Sequence, residues 1–425
     1  MRHNSHTARV IIFGLCLLIL SAPSHASAQT RRGGARALEA QKTSTSFRFT
    51  SGQSALRIPF ELYANVILLQ ARVNNSQPLW FILDTGASGT LINTSRVKGL
   101  SLKYLATAKM TGMGGIAKGE YLGGANFRLP GVEVFDRKIV SISIDPMLSR
   151  VGRVVDGVIG YDFFKEFVVE IDYVAKTINL YDPRAYTYKG TGEVIPFRLR
   201  GGTPFTRVKL ELAGRDAIEG EFEIDTGSDG ALSINGPFAE AHKLLKSIAH
   251  KSATLTGAGA GGESPYISAR LGSMQVGRFR FENPVVSLSQ DTKGAGASTV
   301  SAGQLGTEIF RRFRVILDYS RAQMILEPNP SFSEPFETDM SGLDLVAEGS
   351  DLRTFTVNAV EANSPAAEAH LREEDVLVAI DGRPAADFNL DQLTSLFTHE
   401  GKEYELTVRR GQEILKVKMK LRRLI

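Results

Sequence analysis

The strongest constraint in the sequence is an internal duplication: residues 58–183 and 195–329 carry the same succession of segments, offset by roughly 140 residues. Ile58-Pro59-Phe60-Glu61-Leu62 opens the first copy and Ile195-Pro196-Phe197-Arg198-Leu199 the second. Phe81-Ile82-Leu83-Asp84-Thr85-Gly86 answers to Phe222-Glu223-Ile224-Asp225-Thr226-Gly227. Asp156-Gly157-Val158-Ile159-Gly160 then pairs with Ala302-Gly303-Gln304-Leu305-Gly306. An offset this long lies outside the solenoid range and means two copies of one domain.

Each copy is built from short β-branched or alternating runs, such as residues 64–73, 206–212 and 314–317, punctuated by Gly and Asn. The pattern predicts two mainly β lobes at residues 56–190 and 191–330, with short helices at residues 162–167 and 237–248. Pro328, Pro330 and Pro335 break it, and residues 331–340 read as a linker. Residues 341–425 change character: strands at 354–360 and 376–380, a turn at Asp381-Gly382, an amphipathic helix at 389–397, and two strands joined at Arg410-Gly411. That order describes one small α+β domain.

Ahead of the lobes, Arg2 and Arg9 precede an apolar run at residues 10–20, and Ala26-Ser27-Ala28 supplies small residues for cleavage. Residues 1–28 therefore read as an export signal, which places the mature protein in the periplasm or outside the cell. The run is too short to span a bilayer, so no membrane span is expected after cleavage. Cys16 follows Phe13-Gly14-Leu15 and lacks the small preceding residue of a lipidation site. Residues 29–55, with Arg31, Arg32 and Arg36 among small polar residues, read as a flexible tether or a short propeptide.

Composition narrows the chemistry. Cys16 is the single cysteine, which excludes an intrachain disulfide and a cysteine-based zinc site. Beyond the leader the histidines are His242, His250, His370 and His399, no two at helical i, i+4 spacing. No metal and no cofactor is expected. The formal net charge of +4 shrinks when the leader takes Arg2 and Arg9 with it, so no nucleic-acid partner is expected either.

One Asp-Thr-Gly is a weak signal, since a Gly turn closed by an Asp side chain explains it. Two copies at equivalent places of a duplication, each following an apolar strand, go beyond turn chemistry. Hydrolysing an unactivated amide without a metal or a nucleophilic side chain needs a base for the water and an acid for the carbonyl. Two carboxylates about 3 Å apart cannot both ionise, so they share one proton and fill both roles. A pseudo-twofold within one polypeptide brings Asp84 and Asp225 together. Thr85 and Thr226 can lock the two loops by hydrogen bonds, and Gly86 and Gly227 allow the tight backbone. Ser228 stands where the first copy has Ala87. Its hydroxyl is expected to donate to Asp225 and hold it ionised, with the shared proton mainly on Asp84.

On these residues the sequence resembles the aspartic proteases over residues 56–330, the retropepsin-like branch more than the larger pepsins. The resemblance implies two β-barrel-like lobes around the pseudo-twofold and an apolar-apolar-Gly brace behind each catalytic loop. Val158-Ile159-Gly160 fits the brace, and Gln304-Leu305-Gly306 departs from it at Gln304. A Gly-rich flap over the substrate is implied for each lobe: residues 110–119 with Gly114 and Gly115, and residues 255–262 with Gly259 and Gly261. Gly257, Gly259 and Gly262 also have a dinucleotide-binding spacing, but Glu263-Ser264-Pro265 offers no helix after it. Asp229 stands where retropepsins bind substrate main chain; a solvated turn carboxylate is the other reading of it.

Residues 341–425 resemble a bacterial PDZ domain through Asn363-Ser364-Pro365-Ala366-Ala367 and the stretch from Asp375 to Gly382. Gly342-Leu343-Asp344-Leu345 falls at the loop that, in such domains, holds a peptide C-terminal carboxylate on backbone N–H groups. Asp344 brings a negative charge that opposes such capture, so internal docking stands beside peptide recruitment as the domain's role. The combined reading is an exported aspartic endopeptidase, monomeric because both acids lie in one polypeptide, with polypeptide substrates and a PDZ domain that recruits or positions them. Its rival is a non-catalytic periplasmic peptide-binding adaptor, which has no need of two like charges at one cleft floor. A serine hydrolase finds no G-x-S-x-G in the sequence.

Overall fold

The computed structural model describes residues 18–19, 46–212, 214–259 and 261–425. The expected leader and the first part of the 29–55 segment lie outside these, apart from Leu18–Ile19, a two-residue strand beside Thr111 and Met110. Strand accounts for 49% and helix for 12%, the mainly β class that the sequence pattern implies.

The duplication reappears as strand pairing. In the first copy Val66–Val73, whose apolar run is buried along most of its length, pairs antiparallel with Leu79–Leu83. Leu79–Leu83 lies parallel to Gly157–Ile159, which runs antiparallel to Leu91–Asn93. The second copy repeats this path: Thr203–Glu211 against Ile218–Ile224, then parallel to Gly303–Leu305, which is antiparallel to Leu232–Ile234. In each copy an Asp-Thr-Gly loop leaves the strand that the brace supports.

The copies join through a shared sheet. Val168–Asp172 pairs antiparallel with Phe313–Asp318, with Glu170 opposite Ile316. Each is flanked by its own partner, Thr177–Tyr181 and Gln323–Pro328, and beyond these by Ser54–Tyr63 and Glu193–Pro196. The six strands are symmetric about their centre, and one apolar core continues across both lobes through Phe164, Phe167, Phe197, Phe313 and Tyr319.

Two helical expectations change in detail. Tyr161–Phe164 is a single turn, and residues 237–248 split into Gly236–Ala241 and Leu244–Ser247 because Lys243 adopts a left-handed φ of 53°. The helix Asp145–Val151 lies outside the sequence expectations; at seven residues it is too short for an apolar period. Its sequence signals are terminal, Pro146 in the first turn and Gly152 with φ 68° at its end.

The proline-containing connection is pinned rather than loose. Phe332 and Phe336 pack on Phe281. Arg312, fully buried, donates to the Glu308 carboxylate at 2.7 Å and to the backbone carbonyls of Phe332 and Glu334, with its guanidinium 3.8 Å over the Phe336 ring. Removing one partner of a buried ion pair costs about 3 kcal/mol or more. Arg312→Met is therefore expected to lower Tm by about 6–12 °C. A drop under about 2 °C on thermal melting would show that the connection does not depend on it.

Beyond this connection the C-terminal domain has its own core around Phe355, Leu393, Phe397, Tyr404 and Leu406. Leu343–Glu348 is the edge strand of its sheet. The helix Leu390–Leu396 starts at a capping box in which Asn389 accepts from Gln392 N–H and the Gln392 side chain accepts from Asn389 N–H.

Candidate active site

Asp84 and Asp225 end the strands Leu79–Leu83 and Ile218–Ile224, and both are completely buried where the lobes meet. The backbone N–H of each, at 3.0 and 2.9 Å, donates to the brace carbonyls of Ile159 and Leu305. The threonines cross the interface reciprocally. Thr85 Oγ1 donates to the Ile224 carbonyl at 2.5 Å and Thr226 Oγ1 to the Leu83 carbonyl at 2.8 Å. Each hydroxyl also accepts the other threonine's N–H, at 3.1 and 3.0 Å. Four bonds between equivalent atoms hold the two loops in register, and within the second copy Thr307 Oγ1 donates at 3.0 Å to the Thr226 carbonyl.

The glycines are needed for space. A Cβ on Gly86 would sit 2.7 Å from Asp225 Cγ, and one on Gly227 only 2.4 Å from Asp84 Cγ. Gly86 and Ala87 donate backbone N–H to Asp84 Oδ1 at 2.8 and 3.0 Å, and Gly227 does so to Asp225 Oδ1 at 2.9 Å.

The two acids are not equivalent. Burial first, and then the charge of Asp225, push the Asp84 carboxyl well above the usual carboxylate range. Burial also raises Asp225, but hydrogen bonds from Asp84 and from the Gly227, Ser228 and Gly86 N–H groups oppose the rise. These contacts favour the ionised form at Asp225 more than at Asp84. The side-chain donor is a different residue from the one expected, however. Ser228 contributes its backbone N–H, while Gln304 Nε2 donates to Asp225 Oδ2 at 2.8 Å. The departure of Gln304 from the brace pattern, read in the sequence as a packing change, is a polar contact on the dyad; lobe 1 has apolar Val158 there.

The tips of the two glycine-rich hairpins meet each other. Lys103–Gly112 and Gly115–Leu129 form one hairpin and Lys251–Gly259 and Gly262–Arg270 the other. A Cβ on Gly114 would fall 2.4 Å from the Gly262 backbone, and one on Gly261 2.5 Å from the Gly115 carbonyl. Gly259 pairs with Gly262 at the second tip. The tips touch backbone to backbone, a closed arrangement that side chains would prevent.

Asp229 is half-buried on the wall of a cavity of about 260 Å³ between the lobes and the C-terminal domain. In the C-terminal domain the loop expected to capture a carboxylate is filled from within. Asp339 Oδ1 accepts the Ser341 N–H at 2.9 Å and the Gly342 N–H at 3.2 Å, and Ser341 Oγ accepts the Leu343 N–H at 3.0 Å. Asp344 is buried and bonded to Arg150 of the first lobe at 3.0 Å and to Asn358 at 2.5 Å. Leu343 and Leu345 line the same cavity as Asp229.

Residues 69–163, which span Asp84, the first flap and the brace at Val158, match a family model described as aspartyl protease. Residues 339–421 match one described as PDZ domain. No curated protein matches the sequence. By these matches the first lobe is similar to aspartyl proteases and the C-terminal domain to PDZ domains.

Proposed function

We propose that the protein is an exported aspartic endopeptidase, active as a monomer, that cuts polypeptides with the Asp84–Asp225 pair. The observation that carries this reading is the pair itself: two buried carboxyls at equivalent ends of a duplicated fold, held in register by reciprocal threonine bonds. Asp225, ionised, takes a proton from the attacking water as its oxygen adds to the scissile carbonyl carbon. Asp84 gives its proton to the carbonyl oxygen, so a neutral gem-diol forms. Its collapse returns a proton to the leaving nitrogen and breaks the C–N bond. The flaps close the site against bulk water, and their glycine tips let peptide backbone approach. Export rests on the leader pattern; among the described residues no helix is long and apolar enough to cross a membrane.

The test is incubation of the purified protein with an unfolded protein, with Asp84→Ala as control and products mapped by mass spectrometry. Internal cuts lost in the control support the reading. Cuts that persist in the control, or no cuts, overturn it.

The Gln304 contact yields a pH prediction. A donor to the Asp225 carboxylate favours its ionised form and lowers its pKa, so removing the donor raises it. Gln304→Leu is expected to move the acid limb of kcat/KM upward by about one unit, equivalent to about 1.4 kcal/mol. Ser228→Ala, which keeps the backbone N–H, should leave the limb in place. A shifted limb in Ser228→Ala with an unmoved one in Gln304→Leu would return the role to the hydroxyl.

A further inference from the structure

The strands Ser54–Tyr63 and Val66–Val73 are joined by the two-residue turn Ala64-Asn65, with φ of 46° and 58°. The second copy has Gly201-Gly202 at the equivalent turn, with φ of 60° and 96°. A tight hairpin demands a left-handed pair, which glycine adopts without strain. The first copy keeps side chains there, and Ala64 bears a Cβ in a conformation that disfavours one. Each turn packs on the short helix behind the catalytic loop of the other copy. A Cβ on Gly202 would lie 2.6 Å from the Tyr161 ring, so that contact is backbone against an aromatic side chain. Asn65 makes the matching contact with its amide: Nδ2 donates to the Glu308 carboxylate at 2.8 Å and to the Asp229 carbonyl at 3.2 Å.

The Asp229 carbonyl belongs to the loop that carries Asp225. Helix Thr307–Phe310 of the same copy holds this loop at three carbonyls: Thr307 Oγ1 donates to Thr226, Thr307 N–H to Ser228 at 2.8 Å, and Glu308 N–H to Gly230 at 3.2 Å. Asn65 supplies a donor to the carbonyl between the last two, and it does so from the opposite lobe. The Glu308 carboxylate is already answered by Arg311 and Arg312 at 2.7 Å, so the Asn65 amide adds geometry rather than charge neutralisation. One amide hydrogen is fixed on Glu308 and the other fixes the loop. Asn65 is in turn held from outside the lobes. Asp391, in the first turn of helix Leu390–Leu396, accepts the Ala64 N–H at 3.0 Å. The contact runs from the C-terminal domain, through a turn strained at Ala64, to the second catalytic loop.

We propose that Asn65 is a positioning residue for Asp225, and that the C-terminal domain keeps Asn65 in place through Asp391, so that this domain contributes to turnover itself. The proposal rests on the protease reading. A displacement of about 1 Å at reacting groups costs about 10²-fold in rate, and loss of one of four carbonyl contacts should move the loop less, at a cost of about tenfold.

The test measures kcat and KM of the full-length protein, well below its Tm, on a fluorogenic peptide built around a cut that the unsubstituted protein makes in an unfolded protein. Asn65→Gly removes the amide and gives the turn the residue of the second copy; kcat is expected to fall about tenfold with KM within about twofold. Asp391→Ala should lower kcat about fivefold, and Asp391→Asn, which keeps an acceptor for the Ala64 N–H, should bring it back to within about twofold. Because Asp391 acts through Asn65, adding Asp391→Ala to Asn65→Gly should cost less than about twofold more. An unchanged kcat in Asn65→Gly, a loss carried by KM alone, or full multiplication of the two losses in the double variant each overturns the proposal. If Asn65→Gly does not fold, the Asp391 pair decides: equal rates for Asp391→Ala and Asp391→Asn overturn the proposal, and recovery in Asp391→Asn supports it. Failure of the unsubstituted protein to cleave an unfolded protein is a separate result, which overturns the protease reading and takes this proposal with it.

Discussion

Asp84→Asn is expected to lower kcat/KM by about 10⁴-fold or more, and Asp225→Asn by a similar factor, because each leaves one carboxyl to serve as both acid and base. The folded state should gain stability from the Asp84 change. The Asp84 carboxyl is raised in the fold, chiefly by burial and next by the Asp225 charge, so the folded state prefers it protonated. Unfolded, it ionises in the ordinary carboxylate range. Stability is then lost as pH rises through that range toward the folded pKa, and asparagine, which never ionises, escapes the loss. Asp84→Asn should raise Tm at neutral pH by about 2 °C or more, with the gain vanishing at pH below the ordinary carboxylate range. Cleavage within about tenfold of the unsubstituted protein would refute the dyad, and a Tm that falls at neutral pH would refute the placement of the proton.

Gly227→Ala should be the most damaging change that leaves every polar atom of the site in place. Its Cβ would lie 2.4 Å from Asp84 Cγ and 2.6 Å from Oδ2, distances that no pair of carbons or carbon and oxygen tolerates. Asp84 cannot turn aside freely, since its Oδ1 is held by the N–H groups of Gly86 and Ala87. The two loops must separate, and the threonine bonds between them stretch. A displacement of about 1 Å at reacting groups costs about 10²-fold in rate, so a loss of about 10²- to 10³-fold in kcat with a lowered Tm is expected. The mirror change Gly86→Ala meets Asp225 Cγ at 2.7 Å and should cost less. Equal activity of Gly227→Ala and the unsubstituted protein would mean that the carboxyls are not packed as closely as the structure has them.

The asymmetry of the dyad shows where reading residues in order reaches its limit. Ala87 and Ser228 differ beside the motif, so the sequence points to Ser228 as the donor to Asp225. Gln304 is 79 residues away and reaches the same carboxylate through the brace. Its departure from the apolar pattern was legible, but its direction was not. That direction depends on Gly303–Leu305 lying parallel to Ile218–Ile224, which turns the Gln304 side chain toward Asp225. Likewise Asp344 was legible as a misplaced charge in a carboxylate loop, while its partner Arg150, 194 residues upstream, lay on a helix too short to announce itself by periodicity.

What the sequence determined by itself was local chemistry repeated at a distance: two Asp-Thr-Gly turns after apolar strands, two glycine-rich hairpins, and a mainly β region followed by a small domain of another pattern. Such features survive in a one-dimensional reading because strand alternation, turn residues and capping act within a few neighbours. The tertiary structure alone decided which donor touches Asp225, that Asp339 accepts the loop N–H groups of Ser341 and Gly342, and that Asp229 shares a cavity with Leu343 and Leu345 of the C-terminal domain. Each of these is set by side chains whose strands and helices meet only after the core has closed, when burial makes every unpaired polar atom costly and so selects its partner.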